Sequence, residues 1–263
     1  MERRQFISAS LAATAISAAS PARAQAANPR PREYYQLRRY SLLSGPQLKL
    51  TENYFAALMP ALGRLGLGPI GAFRLDIGPE TPSFYLLIPG SDLAALVELD
   101  LRLARDPEFL ERAAPFWNAT AAAPAFQRIE ISLLAAFEGW ARITPPPSSA
   151  TKSKRIFQLR TYESPSNADH IRKVEMFRSG EFDYFKAAGC RPVFFGDALI
   201  GPRMPSLTYM LSFTDVAELE ANWDVFRNNP DWKKLSASPR FAFDQIVTNI
   251  SNLVLSPLDS SQI

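Results

Sequence analysis

Gln36, Arg38 and Tyr40 recur 122 residues later as Gln158, Arg160 and Tyr162. Each trio alternates along a short run, Tyr35-Gln36-Leu37-Arg38-Arg39-Tyr40 and Phe157-Gln158-Leu159-Arg160-Thr161-Tyr162, so its members share one face of a strand. A guanidinium flanked by an amide and a phenol is suited to holding a carboxylate, a phosphate or a carbonyl oxygen. Leu37 and Leu159 are read as facing the covering helices, which turns the six polar side chains into the interior between the two copies. Two cations close together there need anions. One reading supplies them from a small anionic or carbonyl-bearing ligand held by Gln36, Arg38, Tyr40, Gln158, Arg160 and Tyr162; the other supplies them from protein carboxylates, Glu130 first among them. No catalytic residue is assigned.

The repeat does not stop at these strands. At an offset of 123, Leu65-Gly66-Leu67-Gly68-Pro69-Ile70 lies against Ala188-Gly189-Cys190-Arg191-Pro192-Val193, Ser91–Leu96 against Thr214–Leu219, and Asp106-Pro107-Glu108-Phe109 against Asn229-Pro230-Asp231-Trp232. Such self-similarity means two copies of one domain, 33–137 and 154–256, with a Pro/Ser-rich linker over 143–153. Each copy reads strand, helix, strand, strand, helix, short helix, strand. Leu93, Leu96, Leu99 and Leu103 predict one amphipathic helix, and Val216, Leu219, Trp223 and Phe226 its counterpart behind an N-cap at Thr214. The last strands are predicted over 128–134 and 245–254.

That order is the ferredoxin-like βαββαβ plan, an antiparallel sheet with its helices on one face. Phe84-Tyr85-Leu86-Leu87-Ile88 and Val193-Phe194-Phe195 are apolar on both parities, as strands covered on both sides are. The expected α+β fold therefore packs two ferredoxin-like sheets into one intrachain α/β barrel.

The Tyr-x-Leu-Arg-x-Tyr strand at 35–40, its partner at 157–162, and the Asp-Pro-Glu-Phe and Asn-Pro-Asp-Trp stretches together resemble the NIPSNAP domain family of the dimeric α/β-barrel superfamily. The resemblance implies the barrel but little chemistry, since that family has no agreed catalytic residues and its wider superfamily includes cofactor-independent monooxygenases and haem enzymes. Phe109 stands where a Trp is usual and Asn229 where an Asp is usual.

Single residues add less. His170, the one histidine, is read as a solvated residue of a first helical turn, and Cys190, opposite Leu67, as a small packed residue. One His and one Cys cannot supply a structural zinc site, so neither metal nor cofactor is expected. Gly66-Leu67-Gly68-Pro69-Ile70-Gly71 spells a dinucleotide fingerprint, but a helix precedes it and a strand follows, the reverse of what phosphate binding requires. Asp92, Asp106, Asp215 and Asp231 fall at helix starts, where capping accounts for them.

Arg3-Arg4-Gln5-Phe6-Ile7, an Ala/Ser-rich stretch to Ser20 and Ala22-Arg23-Ala24 form a twin-arginine (Tat) signal peptide over 1–24, cleaved after Ala24, so a periplasmic or secreted protein is expected. Losing Arg3, Arg4, Arg23 and Glu2 takes the net charge from +3 to +1. A near-neutral chain gives no electrostatic reason for a nucleic-acid partner, and no membrane span is read in the mature chain. Two function classes stay open: a small-molecule binder or cofactor-independent enzyme, and a non-catalytic protein–protein interaction module. Homo-oligomer formation is left open with them.

Overall fold

The computed structural model describes residues 32–263; the signal peptide expected over 1–24 lies outside them. The first half runs β1 (Tyr34–Ser41), α1 (Pro46–Arg64), β2 (Gly71–Ile77), β3 (Ser83–Gly90), α2 (Leu93–Val97), α3 (Leu99–Leu103), α4 (Pro107–Trp117) and β4 (Arg128–Ala136). A short α5 (Pro147–Thr151) occupies the stretch read as a plain linker. The second half repeats the order as β5 (Ile156–Glu163), α6 (Asn167–Met176), a π-helical turn (Phe177–Glu181), α7 (Phe182–Ala187), β6 (Arg191–Ile200), β7 (Ser206–Phe213), α8 (Val216–Asn228), α9 (Pro230–Ser236), α10 (Phe243–Ile246) and β8 (Asn249–Pro257).

Eight antiparallel strands close into one barrel in the order β1-β3-β2-β8-β5-β7-β6-β4. Each half contributes a four-stranded ferredoxin-like sheet. Their edges join at β2–β8, with Phe73 opposite Pro257, and at β4–β6, with Ala136 opposite Gly196, which leaves no strand edge open. Every residue of β3 and of β7 is buried, as the double-sided apolar runs required. One apolar cluster fills the barrel interior, including Tyr35, Leu37, Phe73, Leu134, Phe157, Leu159 and Phe194. Two others fill the layer between each sheet and its own helices.

The clusters overturn the expected strand parity. Leu37 and Leu159 point into the barrel, while Tyr40 and Tyr162 pack under the helices of their own halves. The reason is the closure itself: with both faces covered, both are largely apolar, and alternation no longer marks which side is which. Arg38 and Arg160 therefore do not meet at a shared axis. Three strands, β3, β2 and β8, separate β1 from β5 in the barrel.

Smaller differences have local causes. The single helix predicted through Leu93–Leu103 is broken at Glu98 into α2 and α3. Asp215 rather than Thr214 caps α8, its carboxylate accepting from the Glu218 amide. Gln245 belongs to α10, so β8 starts later than expected. Gly66, at φ 72°, lies in the turn from α1 to β2, as predicted for a sequence that only mimics a phosphate loop. Asp92 and Asp106 accept from backbone amides at the starts of α2 and α4. His170 is not solvated: it is buried, and its Nε2 lies 2.6 Å from Asp197 on β6. No helix among the described residues is long and apolar enough to cross a membrane.

Cys190 packs into the second half's core at 4 % exposure, and burial pushes its thiol up to about 12. The thiol should not react with a disulfide reagent in the native protein and should titrate fully once the chain is unfolded in denaturant; native reactivity would mean the segment opens. Beside it, Arg191 forks onto Glu218 at 2.8 and 2.7 Å and holds that carboxyl at about 2, below its ordinary 4.5. Because the folded state binds that proton less readily than the unfolded chain, the contribution is whole above about pH 4.5 and fades as pH falls toward 2. Urea midpoints should accordingly drop more steeply with acid for the native chain than for Glu218→Gln.

Candidate functional site

The six residues singled out by their types divide into two sites, one under each half's helices. In the first half Arg38 has a protein counter-ion, although its Nη2 and the Tyr40 hydroxyl have no hydrogen-bond partner among the described residues. Arg38, 3 % exposed, donates from its Nη1 to Asp100 of α3 at 2.8 Å and from its Nε to Gln36 at 2.6 Å, and Gln36 donates onward to the Leu96 carbonyl at 2.9 Å. Tyr40 lies beside Tyr54 and Phe55 of α1. The expectation that a carboxylate neutralises the arginines holds here, with Asp100 in the role given to Glu130. Glu130 pairs instead with Arg39, on the other face of β1, at 3.1 Å.

The second half departs at one position. Counting back by the repeat offset of 123, Trp223 of α8 stands where Asp100 stands in α3. The Trp223 indole donates to Gln158 Oε1 at 2.6 Å, and Gln158 donates to Asn252 of β8 at 2.8 Å. Arg160 has no carboxylate partner among the described residues. Its guanidinium lies 4.5 Å from the Trp223 ring and 5.4 Å from the Tyr162 ring, and Nη2 donates to the Tyr162 hydroxyl at 3.2 Å. Tyr162 in turn shares a hydrogen bond of 2.7 Å with Tyr209 of β7, and the buried Arg160 Nε has no partner. Cation–π contact offsets part of the desolvation of this partly buried guanidinium, on the order of 1 kcal/mol, but it does not neutralise the charge.

This arginine opens on a cavity of about 490 Å³ between β5, β8 and helices α8 and α9. Gln158, Arg160 and Asn252 line it with polar groups, Glu220 and Arg227 of α8 add one charge of each sign, and Trp223, Phe226 and Trp232 give it apolar surface. Glu181, in the π-helical turn, lines it too and pairs at 2.6 Å with Lys173 of α6, both side chains being fully buried. Burial raises the Glu181 carboxyl above its ordinary value and the Lys173 ammonium pulls it back; burial lowers Lys173 and Glu181 pulls it up. Sequence reasoning missed this pair because neither residue lies in a motif. A signal was present: the repeat offset changes from 122 at the opening strands to 123 after the first helix, and the π turn is that inserted residue.

A second cavity, about 470 Å³, sits at one mouth of the barrel and is lined from both opening strands by Leu37, Arg39, Leu159 and Thr161. Its cations are already met. Arg39 is paired with Glu130 and Glu80, and Arg203 lies 3.7 Å from Glu163. Arg160, in the sheet–helix cavity of the second half, has no carboxylate within ion-pair distance among the described residues.

No curated protein matches the chain. Residues 157–262 match the NIPSNAP family profile. This half carries a NIPSNAP domain. The stretch contains the whole arginine cavity, from β5 through β8 and into the tail that follows it. Among solved structures, a Lactobacillus acidophilus protein provisionally assigned as a monooxygenase is 10 % identical, covers 86 % of this chain and 94 % of its own, and superposes with a TM-score of 0.57. A Fusobacterium nucleatum protein with the same provisional assignment is 7 % identical, covers 88 % and 94 %, and reaches 0.58. An uncharacterised NIPSNAP-like domain protein from Burkholderia xenovorans is 14 % identical over 40 % of this chain and 86 % of its own, with a TM-score of 0.36. At such identities the first two share the barrel with this chain, the fold alone.

If Asp100 is what makes Arg38 tolerable under the helices, Asp100→Ala should cost about 1–2 kcal/mol in urea unfolding, at the lower end for a charged hydrogen bond because Asp100 is half exposed. The NIPSNAP domain's Trp223→Asp should lose more, about 3 kcal/mol or above, because the buried indole packs on Phe185 and Phe226 and a carboxylate for Arg160 does not replace that packing.

Proposed function

We propose that the sheet–helix cavity of the NIPSNAP domain binds a small molecule bearing a carboxylate or carbonyl group on an apolar, preferably aromatic, body. The observation that carries this is the exchange of Asp100 for Trp223: the same arginine, on the same strand, keeps its charge in the second half and loses its protein counter-ion. Arg160 is only partly buried where it meets the cavity, so its unpaired charge costs less than a fully buried one, and a ligand's oxygens can supply what Asp100 supplies in the first half. Gln158 and Asn252 present amide groups beside it, and the Trp223, Phe226 and Trp232 rings suit a flat ligand body. This places the ligand under the helices rather than inside the barrel, and it assigns the role to Gln158, Arg160 and Tyr162, with Gln36, Arg38 and Tyr40 serving the first half's structure.

We further propose that residues 1–24 direct export by the twin-arginine route and that the mature chain begins at Gln25. N-terminal sequencing of the protein recovered from the periplasm of a bacterial host should return Gln25 first, and replacing Arg3 and Arg4 by lysine should retain the precursor inside the cell.

The binding test uses the mature chain and benzoate as probe. Quenching of Trp223 and Trp232 fluorescence should report binding. Arg160→Ala should weaken it by about tenfold to a hundredfold, the worth of one charge-assisted contact, while Arg38→Ala should leave it unchanged in whatever fraction folds. Native mass spectrometry of the protein isolated from its own compartment should show an added mass that Arg160→Ala loses. Equal binding by the native chain and Arg160→Ala would overturn the reading.

A further inference from the structure

The Lys173–Glu181 pair calls for an account that stability does not give. Lys173 is 0 % and Glu181 1 % exposed, and the ammonium is ringed by Phe177 at 4.4 Å, Phe243 at 4.9 Å, Tyr162 at 5.3 Å and Trp232 at 5.7 Å. Two charges withdrawn this far from water gain little over well-packed apolar residues of the same volume. The first half shows that the fold does not need them. Its residue at the Lys173 position is Thr51, whose hydroxyl bonds back to the Gln47 carbonyl, and the positions facing Glu181 at either repeat offset are Leu58 and Met59.

The backbone is also altered to place the carboxylate. Where α1 continues unbroken, the second half inserts the π turn Phe177–Glu181, with Gly180 at φ 138°. At that φ a side chain is strained whatever the space, so the turn demands glycine. The turn is a kink between α6 and α7, made by the non-helical Gly180, and it re-aims the residue that follows it. Here the turn brings Glu181 to the lining of the same cavity that Arg160 lines.

A carboxylate and an unpaired guanidinium on one cavity are the two halves of a proton-transfer site: one takes a proton from carbon while the other stabilises charge developing on oxygen. Resting on the ligand-binding reading above, we propose that Glu181 is the proton acceptor of this cavity and that its substrate class is an enolisable 2-oxo acid with an aromatic body, which the site interconverts between keto and enol forms. The 2-oxo acid presents its carboxylate and keto oxygen to Arg160. The C3–H bond breaks and its proton passes to a Glu181 oxygen. The bonding pair forms the C2–C3 double bond, and the C2–O π pair moves onto oxygen beside the guanidinium. Return of the proton to that oxygen gives the enol; return to C3 gives back the ketone. Nothing is oxidised or reduced. Lys173 is a positioning residue, holding Glu181 through its 2.6 Å hydrogen bond.

The test is exchange of the C3 methylene protons of phenylpyruvate in deuterated buffer, followed by proton NMR on the mature chain, with tryptophan quenching by phenylpyruvate and by benzoate measured alongside. The native protein should exchange phenylpyruvate above the buffer rate, and Glu181→Gln should lose about a hundredfold of that excess, the usual worth of a positioned base, while still binding it. Glu181→Asp should recover part of it. The double variant Lys173→Met with Glu181→Gln removes both buried charges together, so it guards against a fold failing for want of one partner; it should bind and not exchange. Binding of phenylpyruvate with exchange at the buffer rate overturns the proton transfer and leaves the binding reading intact. Undiminished exchange in the double variant overturns the role of Glu181. Binding of benzoate alone overturns the substrate class, and quenching by neither probe overturns the binding reading itself.

Discussion

Closure of the barrel is the constraint on which the rest depends. Pairing β2 with β8 and β4 with β6 removes every sheet edge among the described strands, but it also puts both faces of the inner strands, β3 and β7 throughout, under cover. The interior face is resolved by apolar side chains such as Leu37, Leu159, Phe73 and Phe157. The outer face is covered by helices and carries the Gln-x-Arg-x-Tyr residues, so each arginine on it must find a partner within its own half. All the chemistry discussed above follows from how each half meets that demand.

The first half meets it with protein. Arg38, Gln36, Asp100 and the Leu96 carbonyl form a chain of hydrogen bonds between β1 and the α2–α3 segment, which ties helix to sheet. The second half keeps the strand and changes the helix. Trp223 supplies a ring face and an indole N–H in place of a carboxylate, the amide hydrogen bonds shift to Asn252, and the helix before it gains one residue in the π turn. Duplication explains the asymmetry economically: one copy is enough to carry a site, and the other can be spent on the barrel wall and its own core.

Much of the fold was legible in the sequence because two signals were redundant. The repeat gave each element twice, and the apolar runs on β3 and β7 required a second covering layer. What stayed hidden was facing. Gln36, Arg38 and Tyr40 share a strand face whichever way β1 is turned, and the alternation with Leu37 could not say which side the helices occupy when both sides are buried. The counter-ion was hidden for a related reason. Asp100 lies 62 residues from Arg38 on a short helix interrupted at Glu98, and a carboxylate in such a segment reads as one more solvated charge. His170 was misjudged likewise, since its partner Asp197 belongs to a strand 27 residues away.

The informative comparison was therefore internal. Reading the two halves against each other position by position isolates a few differences that matter among many that do not: Asp100 against Trp223, Thr51 against Lys173, and the one-residue change of offset that becomes the π turn. The first removes a counter-ion and the other two add an ion pair and a residue; Trp223 and Glu181 line one cavity in the second half, and Lys173 pairs with Glu181 beside it. Drift in a duplicated domain scatters over the surface. Convergence of a lost counter-ion, a gained buried ion pair and an altered helix on one space is what a site looks like when a fold that could have been closed with protein atoms is left open for something else.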